Sequence, residues 1–306
     1  MSRYEEARAA LADPRLLKND RVALEEYLDP DQIGQFEPAF IKTLQAHMLA
    51  SDPPDHTRLR KLVNTVFTSR RVETLRPQIE AITEQLLEGM AARGANGQPI
   101  DLIDVFAGPL PMTVICELLG VPARDRAGFR ALSAAVMTYS GKDEERAASL
   151  AIAAYLRALI AAKRVAPGED LLTALVQAGD DNDQPAENEL IAMGFLLLVA
   201  GHETTVNLIG NGMLALLRHP DQLQRLRAEP SLVGGAVEEF LRYDGPLHLA
   251  TTRFTSEPVR IGGVEIPRDQ IVLVSVASAD RDERRFPDAE RLDITRHPRP
   301  AHTRTE

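Results

Sequence analysis

His56 and Arg60 stand four residues apart in the run Asp52-Pro53-Pro54-Asp55-His56-Thr57-Arg58-Leu59-Arg60. With Asp52 as a helix cap and proline in the first turn, both side chains fall on one face and can clamp a carboxylate or a phosphate. A surface His and Arg on a charged helix are more often simply solvated, so two readings stand side by side. A second group, Ala200-Gly201-His202-Glu203-Thr204-Thr205, sits in the middle of a long helical pattern. Glycine there costs about 1 kcal/mol relative to alanine, and an acid beside two hydroxyls is poorly placed in a core. Such a glycine lets another group approach the backbone, and a neighbouring acid and alcohol can relay protons. The alternative is a helix whose polar residues face a crevice or water. His202-Glu203 also begins a zinc-protease pattern, but the second histidine would fall on Val206, so that metal reading fails. In AVEEFLRYDGP, Glu239 and Arg242 are three apart and can form a same-face ion pair on an otherwise apolar helix, a pairing that is also common by chance.

The elements that must position these groups are mainly helices. Up to about residue 245, apolar residues recur at three and four spacing between breaks rich in Pro, Gly or Asp. Ala123 to Ile160 is Ala-rich and helical, and PGED at Pro167 to Asp170 breaks it before a helix with Leu171, Leu172 and Leu175 on one face. Glu187 to Arg218 keeps a helical pattern for 32 residues, about 48 Å of helix. FLLLVAG at its centre predicts a helix threaded through the core, apolar on nearly every side. Strands come late: Thr251 to Thr255, then VRIGGVEIP and QIVLVSVAS around a Gly-Gly turn. No repeat, low-complexity tract or linker is visible. The reading is one domain over 1–306, mainly helical over 1–245, with a β-rich segment and meander over 246–296.

Composition narrows the function classes. The chain has 306 residues, 44% hydrophobic and 26% charged, as a folded globular protein does. Its 35 basic and 45 acidic residues leave a net charge of -10, against strong nonspecific affinity for nucleic acid. A single cysteine, Cys116, excludes an internal disulfide and a multi-thiolate metal site. Leu190 to Gly201 holds twelve uncharged residues, short of the roughly 18–20 that span a bilayer. The opening MSRYEEARAALADPR is polar throughout, so no signal peptide or membrane anchor is expected, and a cytoplasmic protein fits.

Taken in order, these elements resemble the bacterial cytochrome P450 monooxygenases. The resemblance runs through RYEEARAALADPR, DPPDHTRLRKLV, PLPMTVICELLGVP, LLLVAGHETT, AVEEFLRYDGP, TTRFTSEPVRIGGVEIPRDQIVLV and ADRDERRFPDAERLDITR, nearly the whole chain. It implies a mostly α P450 fold, a helical domain with small β-sheets, around haem b. It further implies a soluble monooxygenase inserting one O2-derived oxygen atom into a small organic substrate, with NAD(P)H electrons arriving through a ferredoxin-type partner. By the same resemblance, Glu203 and Thr204 are the acid and alcohol that deliver protons for O–O cleavage, and Ala200 and Gly201 leave room for oxygen. His56, Arg60 and Arg253 match residues that bind haem propionates. Glu239 and Arg242 match the buried ExxR pair, with Arg296 as its third, structural member. Substrate contacts would come from about Val22 to Ala50, Phe129 to Ala154 and Leu247 to Ala250. Arg58 and Lys61 are candidates for docking an acidic ferredoxin, with a merely solvated helix face as the alternative.

The chain departs from the family where the iron ligand belongs. A loop of the form Phe-x-x-Gly-x-x-x-Cys-x-Gly should follow Arg296, and instead AHTRTE closes the sequence after LDITRHPRP. The helix expected after that loop and the family's N-terminal strands are also missing. Cys116, in TVICELLGVP, matches an ordinary packed helix and reads as a core residue, not a metal ligand. The resulting expectation is an inactive P450 fragment that binds haem weakly. The alternative is a cysteine-less P450-like helper that binds and stabilises a glycosyltransferase.

Overall fold

The computed structural model describes residues 3–18, 46–137, 142–178 and 184–296. In chain order the elements are α1 (Tyr4–Ala12), β1 (Leu16–Leu17), α2 (Asp55–Val66), α3 (Ser69–Thr74), α4 (Arg76–Gly94), α5 (Pro109–Leu118), α6 (Arg126–Met137), α7 (Lys142–Val165) and α8 (Leu171–Gln177). There follow α9 (Glu187–Arg218), α10 (Pro220–Ala228), α11 (Val233–Asp244), β2 (Arg253–Thr255), β3 (Val259–Ile261), β4 (Val264–Ile266), β5 (Ile271–Val272) and α12 (Val276–Ala279). The architecture is mostly helical with two small sheets, as expected. The chain divides into two compact units, residues 18–203 in one and residues 1–17 with 204–306 in the other.

The first unit is a helical bundle around one apolar core. Ile152, Leu156 and Ile160 of α7 are fully buried at a spacing of four, the one-face pattern of an amphipathic helix. They share that core with Met112, Ile115 and Cys116 of α5, with Leu171, Leu172 and Leu175 of α8, and with Leu190, Ile191 and Leu198 of α9. Asp170 caps α8, accepting from Thr173 N at 2.9 Å, and takes Lys163 Nζ at 2.6 Å. PGED therefore acts as a stop and a start at once. One π-type turn, Ile103–Ala107, precedes α5, and Gly108 N reaches back to Ile103 O at 2.9 Å. Pro109 and Pro111 have no N–H to continue an ordinary ladder there.

The second unit carries the β structure. β2 pairs antiparallel with β5 on one side and with β1 on the other, Leu16 opposite Thr255 and Leu17 opposite Phe254. The expectation that strands come only late is thereby corrected: two residues near the N-terminus complete this sheet. QIVLVSVAS is strand only at β5 and turns helical at α12, where the Ser275 side chain caps the helix. β3 and β4 form the hairpin expected at VRIGGVEIP. Gly262 and Gly263 sit at φ 58° and 83°, the left-handed geometry that a two-residue type I′ turn requires. α1 packs beside α12, and Tyr4 stacks edge-on against Phe286 at 5.7 Å.

The long helix has the predicted bounds, and its burial corrects one expectation. Leu190 to Met193 are buried on every side, whereas Met213, Leu214 and Leu217 in the C-terminal half are exposed, Leu217 by 62%. Among the described residues it is the one helix long and apolar enough to cross a membrane, and core residues line much of it. Its first half is threaded through a core, whereas its second half is buried on one side, at Ala215 and Leu216.

Candidate functional site

Glu239, Arg242 and Arg296 come together in the second unit. Arg242 grips Glu239 with both prongs, Nε to Oε2 and Nη2 to Oε1, each at 2.8 Å. α11 supplies the three-residue spacing that brings the two side chains onto one face. Glu239 also accepts from Arg296 Nε at 3.3 Å and from Asp293 N at 2.9 Å. The remaining guanidinium donors reach main-chain carbonyls: Arg242 to Ala289, Asp280 and Arg291, and Arg296 to Pro287 and Asp288. A buried ion pair is tolerable only when its outer lone pairs and protons are satisfied in this way. Asp293 sits beside the trio. Burial raises its carboxyl, but hydrogen bonds from Thr295 with Arg291 and Arg296 nearby outweigh that and leave it below its ordinary value. Sequence reading missed Gln222, which is buried in α10 and accepts from Ile294 N at 3.1 Å. No local signal marks it, because its partner is a backbone N–H 72 residues away.

His56 and Arg60 lie on α2, His56 half-buried and Arg60 exposed. The helix they share begins at Asp55, with Pro54 at the cap position and no side-chain cap. Asp52 is thus not the predicted cap. Its carboxylate accepts from Lys18 N at 2.8 and 3.0 Å, and its carbonyl accepts from His56 N at 3.0 Å. Arg58 is also not the open surface cation of a docking patch, because it pairs with Glu189 of α9. Lys61 remains exposed. Arg253, the third candidate for an anion, is buried as the first residue of β2, opposite Val272.

Ala200, Gly201, Glu203 and Thr204 follow one another on α9, with Ala200 and Glu203 exposed and Thr204 half-buried. Spacings of three, four and seven place the exposed Ala200, Glu203, Asn207, Leu214 and Leu217 along one side of the helix, while Thr205, also exposed, lies off it. Gly201 points elsewhere. A Cβ built on it would lie 3.1 Å from Ile115 Cδ1 of α5, so its missing side chain serves helix packing. His202 turns to the interior as well. Its Nδ1 is buried without a hydrogen-bond partner, and burial lowers the ring's affinity for a proton, against a smaller upward pull from the Gly108 backbone and Glu203.

The proposed substrate regions are only partly visible. Of Val22 to Ala50, residues 22–45 lie outside the described residues, as do 138–141 within the second region. Leu247 and Leu249 are exposed.

For a haem, the chemistry of this donor set fits in one respect and fails in another. By chemistry alone, the imidazole of His56 and the guanidinium of Arg60 in the first unit, and separately that of Arg253 in the second, are donor types that suit carboxylates. A haem iron would, however, find no available thiolate ligand among these residues. Cys116, the chain's one cysteine, is 1% exposed inside α5, and burial pushes the thiol up to about 11.

Comparison with known proteins agrees with this geometry. Residues 126–303 match the cytochrome P450 family. The chain is 51% identical over 300 residues to cytochrome P450 107B1 of Saccharopolyspora erythraea, covering 97% of this chain and 72% of that protein. It is 49% identical to the cytochrome P450 monooxygenase PikC of Streptomyces venezuelae, covering 96% of this chain and 68% of the relative. The tirandamycin C-bound P450 monooxygenase TamI superposes with a TM-score of 0.84 at 47% identity, over 97% of this chain and 72% of TamI. The chain is therefore shorter than the full-length proteins it matches. With a helical fold, two small sheets, a buried Glu–Arg–Arg trio and relatives of this identity, the chain belongs to the bacterial cytochrome P450 family.

Proposed function

We propose that this chain is a large part of a cytoplasmic P450 monooxygenase, its two units being parts of one domain, and that on its own it does not turn over. The observation that carries the reading is the uncovered face of α9, which runs from Ala200 and Glu203 to Leu214 and Leu217. An acid next to an alcohol on such a face can hold a proton at a carboxyl oxygen and pass it to a neighbouring hydroxyl. Glu203 and Thr204 take those parts, and Ala200, with its small side chain, keeps the approach open. His56, Arg60 and Arg253 hold propionates, whereas Glu239, Arg242 and Arg296 keep the meander folded. Haem, when bound through a thiolate, supplies the oxygen chemistry. A ferredoxin-type partner passing electrons from NAD(P)H and a small organic substrate complete the system.

The test is a chimera. Residues 1–296 are fused to the C-terminal remainder of a relative, and haem incorporation is compared with that of the chain alone. The expected result is stoichiometric haem with a thiolate-type spectrum in the chimera and weak, non-thiolate binding in the chain. A folded chimera that takes up no haem would sink the proposal. In a loaded chimera, Arg253→Gln should weaken haem retention, while Glu203→Gln should slow turnover without loss of haem.

A further inference from the structure

Arg71 lines a cavity of about 220 Å³ in the first unit. Its Nη2 donates to Glu169 O at 2.7 Å, which ties α3 to the loop before α8 and fixes the guanidinium in place. A guanidinium has five N–H donors. Arg71 has no carboxylate partner among the described residues.

The two buried-side carboxylates around the cavity are already matched. Glu117 pairs with Arg126 at 2.6 Å, and Asp170 pairs with Lys163 at 2.6 Å while capping α8. Glu169 contributes its carbonyl, and its own side chain is exposed to water. Arg71 is thus the one cation lining the cavity, tied down at one N–H and with donors to spare. Much of the wall is apolar, although Thr74 and Gln78 line it too: Phe67 and Val72 line the cavity yet are 45% and 43% exposed, and Leu75, Leu118 and Leu171 add to the apolar lining. An apolar wall left facing water beside an anchored cation matches a ligand with an apolar body and a single carboxylate. The volume is on the order of seven water molecules at about 30 Å³ each, which limits that body to one ring or a short chain.

We propose that this cavity binds a small apolar monocarboxylate, its carboxylate on Arg71 and its body against Phe67 and Val72. The inference is independent of haem and of the monooxygenase reading. The test uses the full chain and benzoate as probe, with benzyl alcohol as the neutral isostere, and reads binding by saturation-transfer NMR. Benzoate should bind saturably and at least tenfold more tightly than the alcohol, and Arg71→Gln should bring the two to the same affinity. Arg71→Lys, which keeps the charge and loses the fork, should fall between. Because the chain contains no tryptophan, Phe67→Trp places a single tryptophan in the wall, and benzoate should change its emission saturably. Equal affinity for acid and alcohol, a preference that survives Arg71→Gln, absence of saturable binding, or a Phe67→Trp emission blind to bound benzoate would each overturn the proposal.

Discussion

Glu239 accepts hydrogen bonds from two arginines and a backbone N–H while fully shielded from water. Removing either member of its bidentate pair leaves a charge without a partner in a low-dielectric site. Glu239→Ala or Arg242→Ala should each cost about 3–5 kcal/mol, read as a fall in the urea midpoint of the chain. Arg296→Ala should cost less, since its guanidinium lies on the outer side of the trio and its side chain keeps 14% exposure. An Arg296 variant as damaging as the Arg242 variant would contradict this ordering. At the same scale, burial lowers both His47 and His202 from their ordinary 6.5. The His47 ring must also stay neutral to let Nδ1 accept from Ala50 N at 3.3 Å. The unfolded chain therefore binds these protons first. The contribution is complete above about pH 7, declines as pH falls through the unfolded value of 6.5, and levels off once the folded rings titrate. Denaturation midpoints at pH 7.5 and 5.5 should differ less in His202→Gln than in the parent chain.

Among the elements, α9 performs two tasks with one sequence. The stretch from Leu190 to Leu198 is apolar on every side because α5, α7 and α8 share one core with it. The glycine at the centre of α9 lets α5 approach, with Ile115 Cδ1 at 3.1 Å from where a Cβ would stand. A bulky residue there must displace Ile115 or the helix. Gly201→Leu should destabilise the chain by about 1–3 kcal/mol. If Ile115 is the obstacle, Gly201→Leu combined with Ile115→Ala should lose at least about 0.5 kcal/mol less than the sum of the single changes. Strict additivity in that double-mutant cycle would place the cause elsewhere. The pattern of three and four spacing made the helix and its ends legible from sequence, as it did Leu171, Leu172 and Leu175 of α8. The glycine's purpose was not legible, because the atom that needs the space belongs to another helix 86 positions earlier in the chain.

At the scale of the whole molecule, apolar side chains of α9 are left exposed. Leu214 and Leu217 are exposed by 43% and 62%, and surface substitutions of that kind shift stability by no more than about 0.5 kcal/mol. Leu214→Glu with Leu217→Glu should therefore leave the melting midpoint of the chain nearly unchanged. In the chimera carrying a relative's C-terminal remainder, the same pair should lower the midpoint by several degrees if the added chain covers this face. An equal response in both would show that the face stays open.

Local pattern alone determined the helical class, the bounds of α9 and the Gly-Gly hairpin at Gly262 and Gly263, and it put Glu239 and Arg242 on one face where they can pair. Each depends on residues within a turn or two of one another, so spacing and backbone preference suffice. The family resemblance added Arg296 as the third member of the trio. Other features needed the folded chain. Leu16 and Leu17 are strand only because Phe254 and Thr255 offer them an edge. Asp52 serves Lys18 instead of capping α2, Arg58 is spent on Glu189, and Arg242 finds its outer acceptors on the carbonyls of Asp280, Ala289 and Arg291. A carbonyl has no residue identity to read in a sequence, and a charge has no sequence mark of the partner that neutralises it. Only tertiary structure decides those pairings, because the desolvation that makes them necessary arises when distant segments exclude water together.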